Sequence, residues 1–377
     1  MRTLPDTTVV RRGRSRGMSL VELLVAAAIG IIASLAIFQV FAVFEGQKRT
    51  TTSGGEAQTS GTLSLFTVER DLRKAGYGIN NVDFIGCAIQ VYDEVSGGPV
   101  TPWNFVPALI AQGAGSTPGV AGAPDGVTVM YGTSDTLPVP VSILVNSTGP
   151  ADDFIKVVNA LYGFQPGDLV VIAEAAKPCR LAQVSQIPPA TGDSTKLNLQ
   201  SGTYVHPVTG STVNTRYNNP AGLGTAYTAN GKVFDIGASP IVKSFFIQDN
   251  QLWVQTAGAA ATALYDGIVQ LQAQYGKDTN NDGVVDLYDE TTPTTAAGWA
   301  AVLAMRIAVV ARSGLYEKDL VSPTSIRLWA DCLSTSVPAC NPPYTTGPVW
   351  TLTPDEQHYR YKVFQTVVPL RNMIWRP

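Results

Sequence analysis

The longest feature in the hydrophobic pattern is an uncharged run from Leu23 to Phe44, 22 residues in which Ser34 and Gln39 are the only clearly polar positions. As a helix rising ~1.5 Å per residue it spans about 33 Å, enough for the hydrocarbon core of a bilayer. Arg11, Arg12, Arg14 and Arg16 precede it, and Glu45, Lys48 and Arg49 follow. The arginine cluster predicts an N-terminus held in the cytoplasm and a body delivered outside. One residue breaks the pattern. Glu22 stands at the mouth of the run, where a carboxylate makes insertion costlier and so calls for a partner or a processing step.

After Phe44 the chain turns polar. TTTSGGEAQTSG (50–61) contains Gly54, Gly55 and Gly61 and predicts a bend or a frayed stretch. Helical spacing resumes in TLSLFTVERDLRKAGYG, where Leu65, Val68 and Leu72 fall at i, i+3 and i+7 and Leu63 and Phe66 widen the apolar face. Glu69 and Arg73 form an i, i+4 ion pair, and Gly76 is a C-terminal stop.

Beyond Tyr77 the period switches to two. Val269, Leu271, Ala273 and Tyr275 alternate with Gln270, Gln272 and Gln274, as in a strand with one wet face. Met305, Ile307, Val309 and Ala311 alternate similarly against Arg306 and Arg312, and Tyr359, Tyr361 and Val363 against Arg360 and Lys362. KSFFIQDNQLWVQ predicts a hairpin turning at Asp249-Asn250, and DLVVIAE (168–174) a strand leading towards Cys179. Gly/Pro/Thr/Ser connections at 94–126, 202–232 and 290–298 are expected as surface loops on the sheet rather than a second domain.

Composition fits that outline. Of 377 residues 45% are hydrophobic but only 15% charged, and the 35 Gly and 25 Pro suit a loop-rich β body outside the cytoplasm better than a helical cytosolic enzyme. The net charge is −3, yet residues 1–17 hold five Arg and one Asp (+4), leaving −7 from Met18 onward. Nucleic acid is therefore not an expected partner. Of the four cysteines, none lies in a CxxC. Outside the cytoplasm two disulfides are expected, Cys332 with Cys340 as the local pair across CLSTSVPAC and then Cys87 with Cys179. The alternative is four free buried thiols.

Three kinds of signal compete at the N-terminus. A cleaved secretory signal has a shorter apolar region without an acid, and a plain signal anchor leaves Glu22 unexplained. Gly17-Met18-Ser19-Leu20-Val21-Glu22, with its basic leader and long apolar run, resembles the prepilin peptidase site of type IV pilins and type II secretion pseudopilins. That resemblance implies a cut between Gly17 and Met18, methylation of the new amino terminus at Met18, and Glu22 as the fifth mature residue. Met18 replaces the Phe usual in the family. In a filament the Glu22 carboxylate would sit among packed helices, where a neighbouring subunit's α-amino group can neutralise it. An interfacial acid reaching for the headgroups is the plainer reading. ERDLRKAGYG, GIVQLQAQYGKDTNNDGVVD, AVLAMRIAVVARS and the terminal TVVPLRN look like landmarks of PilW-type minor pilins and the related pseudopilin J, while 95–240 shows the likeness weakly.

DTNNDGVVDLYD (278–289) is the strongest chemical motif in the body. Asp278, Asn280 and Asp282 take positions 1, 3 and 5 of an EF-hand-like loop, with Gly283 at the turn, the Val284 carbonyl at 7, Asp286 at 9 and Asp289 at 12. That pattern predicts a structural calcium ion. Position 12 is Asp where Glu is usual, the preceding segment reads as a strand, and a metal-free Asn/Asp/Gly turn is the alternative. His206 and His358 stand far apart, no zinc motif or G-x-S-x-G is present, and QGAGSTPG (112–119) lacks the Lys of a phosphate loop, so no catalytic residue is expected.

The fold expected is α+β and type IV pilin-like: leader 1–17, a long helix 18–76 that spans the membrane at about 23–44, and a C-terminal antiparallel β-sheet domain, 77–377, with long loops. By the resemblance, the function expected is that of a minor pilin initiating and assembling a type IV pilus from its tip, with twitching motility and adhesion downstream. Prepilin peptidase, the other minor pilins, the major pilin, a pilus-tip adhesin and the inner membrane are the partners so implied. The precursor is then an inner-membrane protein with a periplasmic body, and the mature subunit lies in the surface pilus. The rivals are a type II secretion pseudopilin of the J class and a tip adhesin binding surface ligands through 94–126 and 202–232.

Overall fold

Helix α1 runs from Leu20 to Leu72 and begins on a reciprocal pair of hydrogen bonds. Glu22 N donates to Ser19 Oγ at 3.2 Å, and Ser19 N donates to Glu22 Oε2 at 3.3 Å. This capping box satisfies two donors near the helix start that would otherwise have no partner. The structure is a computed structural model that describes residues 17–79, 81, 83–115, 120–160, 162–189, 192–329 and 348–374. Leader residues 1–16 and the pair Cys332 and Cys340 lie outside the described residues. The chain divides into two compact units, Met1–Ser53 and Gly54–Pro377. In the first, α1 is long and apolar enough to cross a membrane, and its side chains from Leu20 to Arg49 are exposed.

The bend expected at 50–61 does not occur, because helix continues through it. Thr59 and Thr62 turn their hydroxyls back onto the carbonyls of Gly55 (3.0 Å) and Gln58 (2.8 Å), so neither needs a partner off the helix. Gly61 is a packing glycine. The Phe364 ring lies against its Cα, where a Cβ would overlap it. The helix also ends earlier than expected, at Leu72; Gly76 (φ +80) lies in the turns beyond and donates its N–H to Met130 O at 2.9 Å. The Glu69–Arg73 pair forms as anticipated. The apolar face is rotated, however: Ala57, Ser64, Val68, Asp71 and Leu72 are buried, whereas Leu63 and Phe66 are 42% and 58% exposed.

The body is built from short strands. In chain order they are β1 (Ala88–Asp93), β2 (Gly98–Asn104), β3 (Ala108–Ala111), β4 (Gly126–Tyr131), β5 (Val141–Ser142), β6 (Phe154–Lys156) and β7 (Leu169–Ala173). Next come β8 (Cys179–Gln183), β9 (Lys196–Asn198), β10 (Thr203–Val205), β11 (Thr212–Asn214), β12 (Lys232–Gly237), β13 (Ile241–Gln248) and β14 (Gln251–Thr256). The last third holds β15 (Thr262–Asp266), β16 (Ile268–Lys277), β17 (Leu287–Asp289), the short helix α2 (Ala296–Ala300), β18 (Val302–Arg312), β19 (Ser325–Arg327), β20 (Val349–Thr351), β21 (Tyr361–Pro369) and α3 (Arg371–Ile374).

Three larger sheets result: β2-β1-β8-β7-β12-β5, β15-β14-β13-β4-β3 and β17-β16-β18-β21. Among the described residues all ladders are antiparallel except β1 with β8. The core of Val68, Leu72, Phe245, Leu271, Tyr275, Ile307 and Val368 joins the second half of α1 to the last two sheets. A separate core of Ile89, Phe105, Val171, Leu181 and Phe234 belongs to the six-stranded sheet. The Asp249-Asn250 hairpin forms, both residues at positive φ (51° and 57°) as a type I′ turn requires. Cys87 and Cys179 are disulfide-bonded with Cα atoms 6.0 Å apart, tying the start of β1 to β8.

Two alternation readings need correction. Gln270, Gln272 and Gln274 do not face water and are at most 1% exposed. Gln270 Nε2 donates to Gly122 O (2.8 Å) and Gln272 Nε2 to Ala123 O (3.0 Å), because the segment before β4 lies over that face. In β21 it is Phe364 and Val368, not Tyr361 and Val363, that enter the core shared with α1. The stretches 94–126 and 202–232 are also more ordered than loops, since they contain β2 and β3 and the hairpin β10–β11.

Candidate functional site

The processing motif occupies the chain just before α1. Gly17 and Met18 are exposed, followed at once by the capping pair Ser19 and Glu22. Glu22 therefore has a role in one chain, closing the first helical turn, besides any role towards another subunit. S-x-x-E was the local signal for this pair.

The residues that fasten the second half of α1 to the sheets cluster at its C-terminal end. Asp71, 2% exposed, accepts from Lys243 Nζ of β13 at 3.1 Å and from Tyr131 Oη of β4 at 3.4 Å. Burial, and then the Asp71 charge, push Tyr131 up to about 12. Asn372 of α3 donates to the carbonyls of Lys74 (3.1 Å) and Ala75 (2.9 Å), which follow the helix. Lys362 of β21 donates to Gln58 Oε1 at 2.7 Å, one turn before Gly61. ERDLRKAGYG and TVVPLRN thus meet in space. Sequence reasoning missed Gly61, Asp71 and Asn372 because their partners lie from 60 to about 300 residues away.

Behind β16 and β18 lies a buried polar layer. Arg306 Nε donates to Gln274 Oε1 at 2.6 Å, and its guanidinium is stacked on Tyr288 (4.5 Å) and Trp329 (4.4 Å). Asp125 accepts from Gly113 N and Ala273 N, both at 2.9 Å, and so fastens the covering segment along β16. Burial raises the Asp125 carboxyl to about 6 against the pull of those two donors.

The loop 278–286 joins β16 to β17. Its first half has the turn the motif requires: Asn281 and Gly283 take positive φ (62° and 84°), and Gly283 N donates to Asp278 Oδ2 at 2.8 Å. Asn280 and Asp282 accept from Asp282 N (2.9 Å) and Val284 N (2.8 Å). The second half turns elsewhere. Asp286 accepts from Thr279 N and Oγ1 (2.8 and 2.9 Å), while Asp289 pairs with Lys277 Nζ at 2.6 Å. Among the described residues no group of three or more His, Cys, Asp or Glu side chains is placed to hold a metal ion. As they stand, the side chains of Asp278, Asn280 and Asp282 bond within the loop, and Asp286 and Asp289 turn to Thr279 and Lys277.

A long apolar helix whose second half is fastened to antiparallel sheets is the architecture expected of a pilin-type subunit, and two family models match the chain. The Prokaryotic N-terminal methylation motif matches residues 12–38, and the Type IV Pilus-assembly protein W model matches residues 236–372. Together they support a type IV minor pilin of the PilW type. Both families are structural pilus components rather than enzymes. The first match contains Gly17, Met18 and Glu22, and the second contains Lys243, the whole β16-β18-β21 ladder and Asn372. No curated protein and no solved structure matches the chain.

Proposed function

We propose that this chain is a minor pilin of the complex that primes a type IV pilus and remains at or near its tip. The supporting observation is that the methylation motif and the PilW region occur on one chain and that the residues fastening α1 fall at the PilW landmarks. In this reading prepilin peptidase cuts between Gly17 and Met18, Met18 is methylated, and α1 holds the subunit in the inner membrane with its body in the periplasm. Glu22 then meets the cationic amino terminus of an adjoining minor or major pilin, a pairing that sets the axial register of the helices.

Glu22→Gln separates the two roles of this residue. Glutamine can keep the capping box through its side-chain oxygen but carries no charge. The variant is expected to be stable and cleaved yet absent from sheared fibres, whereas the parent appears there by mass spectrometry starting at methylated Met18. Normal incorporation of the variant removes the charge pairing. Fibres lacking the parent chain altogether, with the chain instead required for protein secretion, would favour the J-class pseudopilin.

The loop 278–286 is proposed as a structural calcium site held by Asp278, Asn280, Asp282 and the Val284 carbonyl, completed when Asp286 and Asp289 leave Thr279 and Lys277. Calcium should then raise the melting temperature, and Asp282→Ala should abolish the rise. A parent protein indifferent to calcium ends the proposal.

A further inference from the structure

On the six-stranded sheet, and reaching Ala238–Pro240 and Gly258, lies an open cleft of about 620 Å³. Its lining includes Leu169 of β7, Gln183 of β8 and Trp103 of β2, and one wall is the β10–β11 hairpin with the residues after it, which meets Trp103 at Tyr217. That wall is built firmly. The Tyr204 ring lies on Gly167 (φ +97), where a Cβ would stand 2.6 Å from Tyr204 Cε2. Thr215 Oγ1 donates to Glu94 Oε1 at 2.8 Å, and Gln183 Oε1 accepts from Arg216 N at 2.8 Å.

The charges lining the cleft are already matched. Arg216 binds Asp93 through both Nε (3.2 Å) and Nη2 (2.8 Å). Hydrogen bonding from that guanidinium holds the Asp93 carboxyl below the usual range, so the pair stays ionised and mutually neutralised at ordinary pH. Neither a phosphate nor an ammonium ligand finds an unpaired partner in that pair. What the cleft offers instead is aromatic surface with unused polar groups beside it. Trp103 and Tyr217 meet edge to face at 6.4 Å, and Tyr204 lines the same space. The Trp103 indole N–H, the Tyr204 and Tyr217 hydroxyls and the Asn214 side-chain amide make no hydrogen bond among the described residues.

We propose that this cleft binds a neutral oligosaccharide. A pyranose ring has an apolar face that packs on Trp and Tyr rings and a rim of hydroxyls that both donate and accept, which is the demand set by an indole N–H, two phenols and an amide. A purely apolar ligand would leave those polar groups dry and unpaired. The site gives the two segments 94–126 and 202–232 a joint task, because each supplies part of the lining. It does not rest on the assembly role, and a subunit that enters fibres normally can still lose it.

The test uses the full chain in a detergent with no sugar headgroup, titrated with maltohexaose, cellohexaose and chitohexaose by saturation-transfer NMR and calorimetry. At least one is expected to bind with a Kd of about 1 mM or tighter, a modest affinity for a shallow polar site. Trp103→Ala and Asn214→Ala should each weaken it by about tenfold while the melting temperature and the Cys87–Cys179 bond are retained, tenfold being the loss of one good contact. Asn214 is exposed, so its variant guards against a folding failure at Trp103. Binding of none of the three sugars overturns the proposal, as does binding that neither variant weakens. Capture of a peptide at Trp103 with no sugar bound would make the cleft a protein-docking site and overturn it equally.

Discussion

Replacing Gly61 and Gly55 by alanine tests the fastening of the helix. Both glycines lie inside α1, and alanine at either removes the same backbone-entropy penalty, about 1 kcal/mol in favour of the variant. Nothing lies within 4 Å of a Cβ built on Gly55. On Gly61 the new Cβ falls inside contact distance of three atoms of the Phe364 ring, the farthest at 2.9 Å. The ring must leave the core it shares with Val68, Ile307 and Val368, an overpacking cost of about 1–3 kcal/mol. Gly55→Ala is therefore expected to stabilise the protein by roughly 0.5–1 kcal/mol and Gly61→Ala to leave it roughly 1–3 kcal/mol below that variant. Since helix propensity is common to both, the difference isolates the ring. Urea unfolding of the detergent-solubilised chain, followed by near-ultraviolet dichroism, measures it. If the two variants are equally stable, Phe364 does not seat on the helix at Gly61.

The buried carboxyl of Asp235 gives a pH dependence. Burial first, and then the charge of Asp168, push it up to about 7, while Ser134 Oγ at 2.7 Å and Gly237 N at 2.9 Å pull the other way. Its pKa in the unfolded chain is about 3.9, so the folded state holds the proton more tightly; this contribution is complete below about pH 4 and disappears as pH rises through about 7. Asp235→Asn should therefore lose less stability than the parent between about pH 4 and 7, and parallel pH profiles by urea unfolding would refute the assignment. The Cys87–Cys179 bond closes a separation of 92 residues, and Cys87→Ala with Cys179→Ala should lower stability by about 2–5 kcal/mol in denaturant titration. A loss under about 1 kcal/mol would mean that the unfolded chain is already constrained there.

Much of the architecture was legible one segment at a time. Asp249-Asn250 is a turn because both residues tolerate positive φ, and the strands beside it follow from the alternation in KSFFIQ and QLWVQ. Errors arose where a period announces two faces without saying which is dry. Gln270, Gln272 and Gln274 read as solvent-facing until Gly122, Ala123, Glu290 and Arg306 are brought to them. In α1 the apolar Leu63 and Phe66 lie outside the seam, and small or polar residues such as Ala57, Ser64 and Asp71 occupy it, because close approach to the sheet requires small side chains and Lys243 waits opposite Asp71. Of the candidate sites, the processing motif and its capping box are local and readable. The cleft at Trp103 has no local signature, for its walls come from segments about a hundred residues apart.

From the chain alone follow the membrane-length run, the cleavage motif with its acid at Glu22, the turn residues and the even set of cysteines, since each depends on neighbours a few residues away. Tertiary structure decided which surface of each element is buried, which glycine is a packing necessity, and which polar side chains can afford to leave water. A buried amide, carboxylate or guanidinium is tolerable only where another segment supplies its hydrogen bonds, and for Gln270, Gln272, Asp125 and Asp71 that segment lies 148 to 172 residues away.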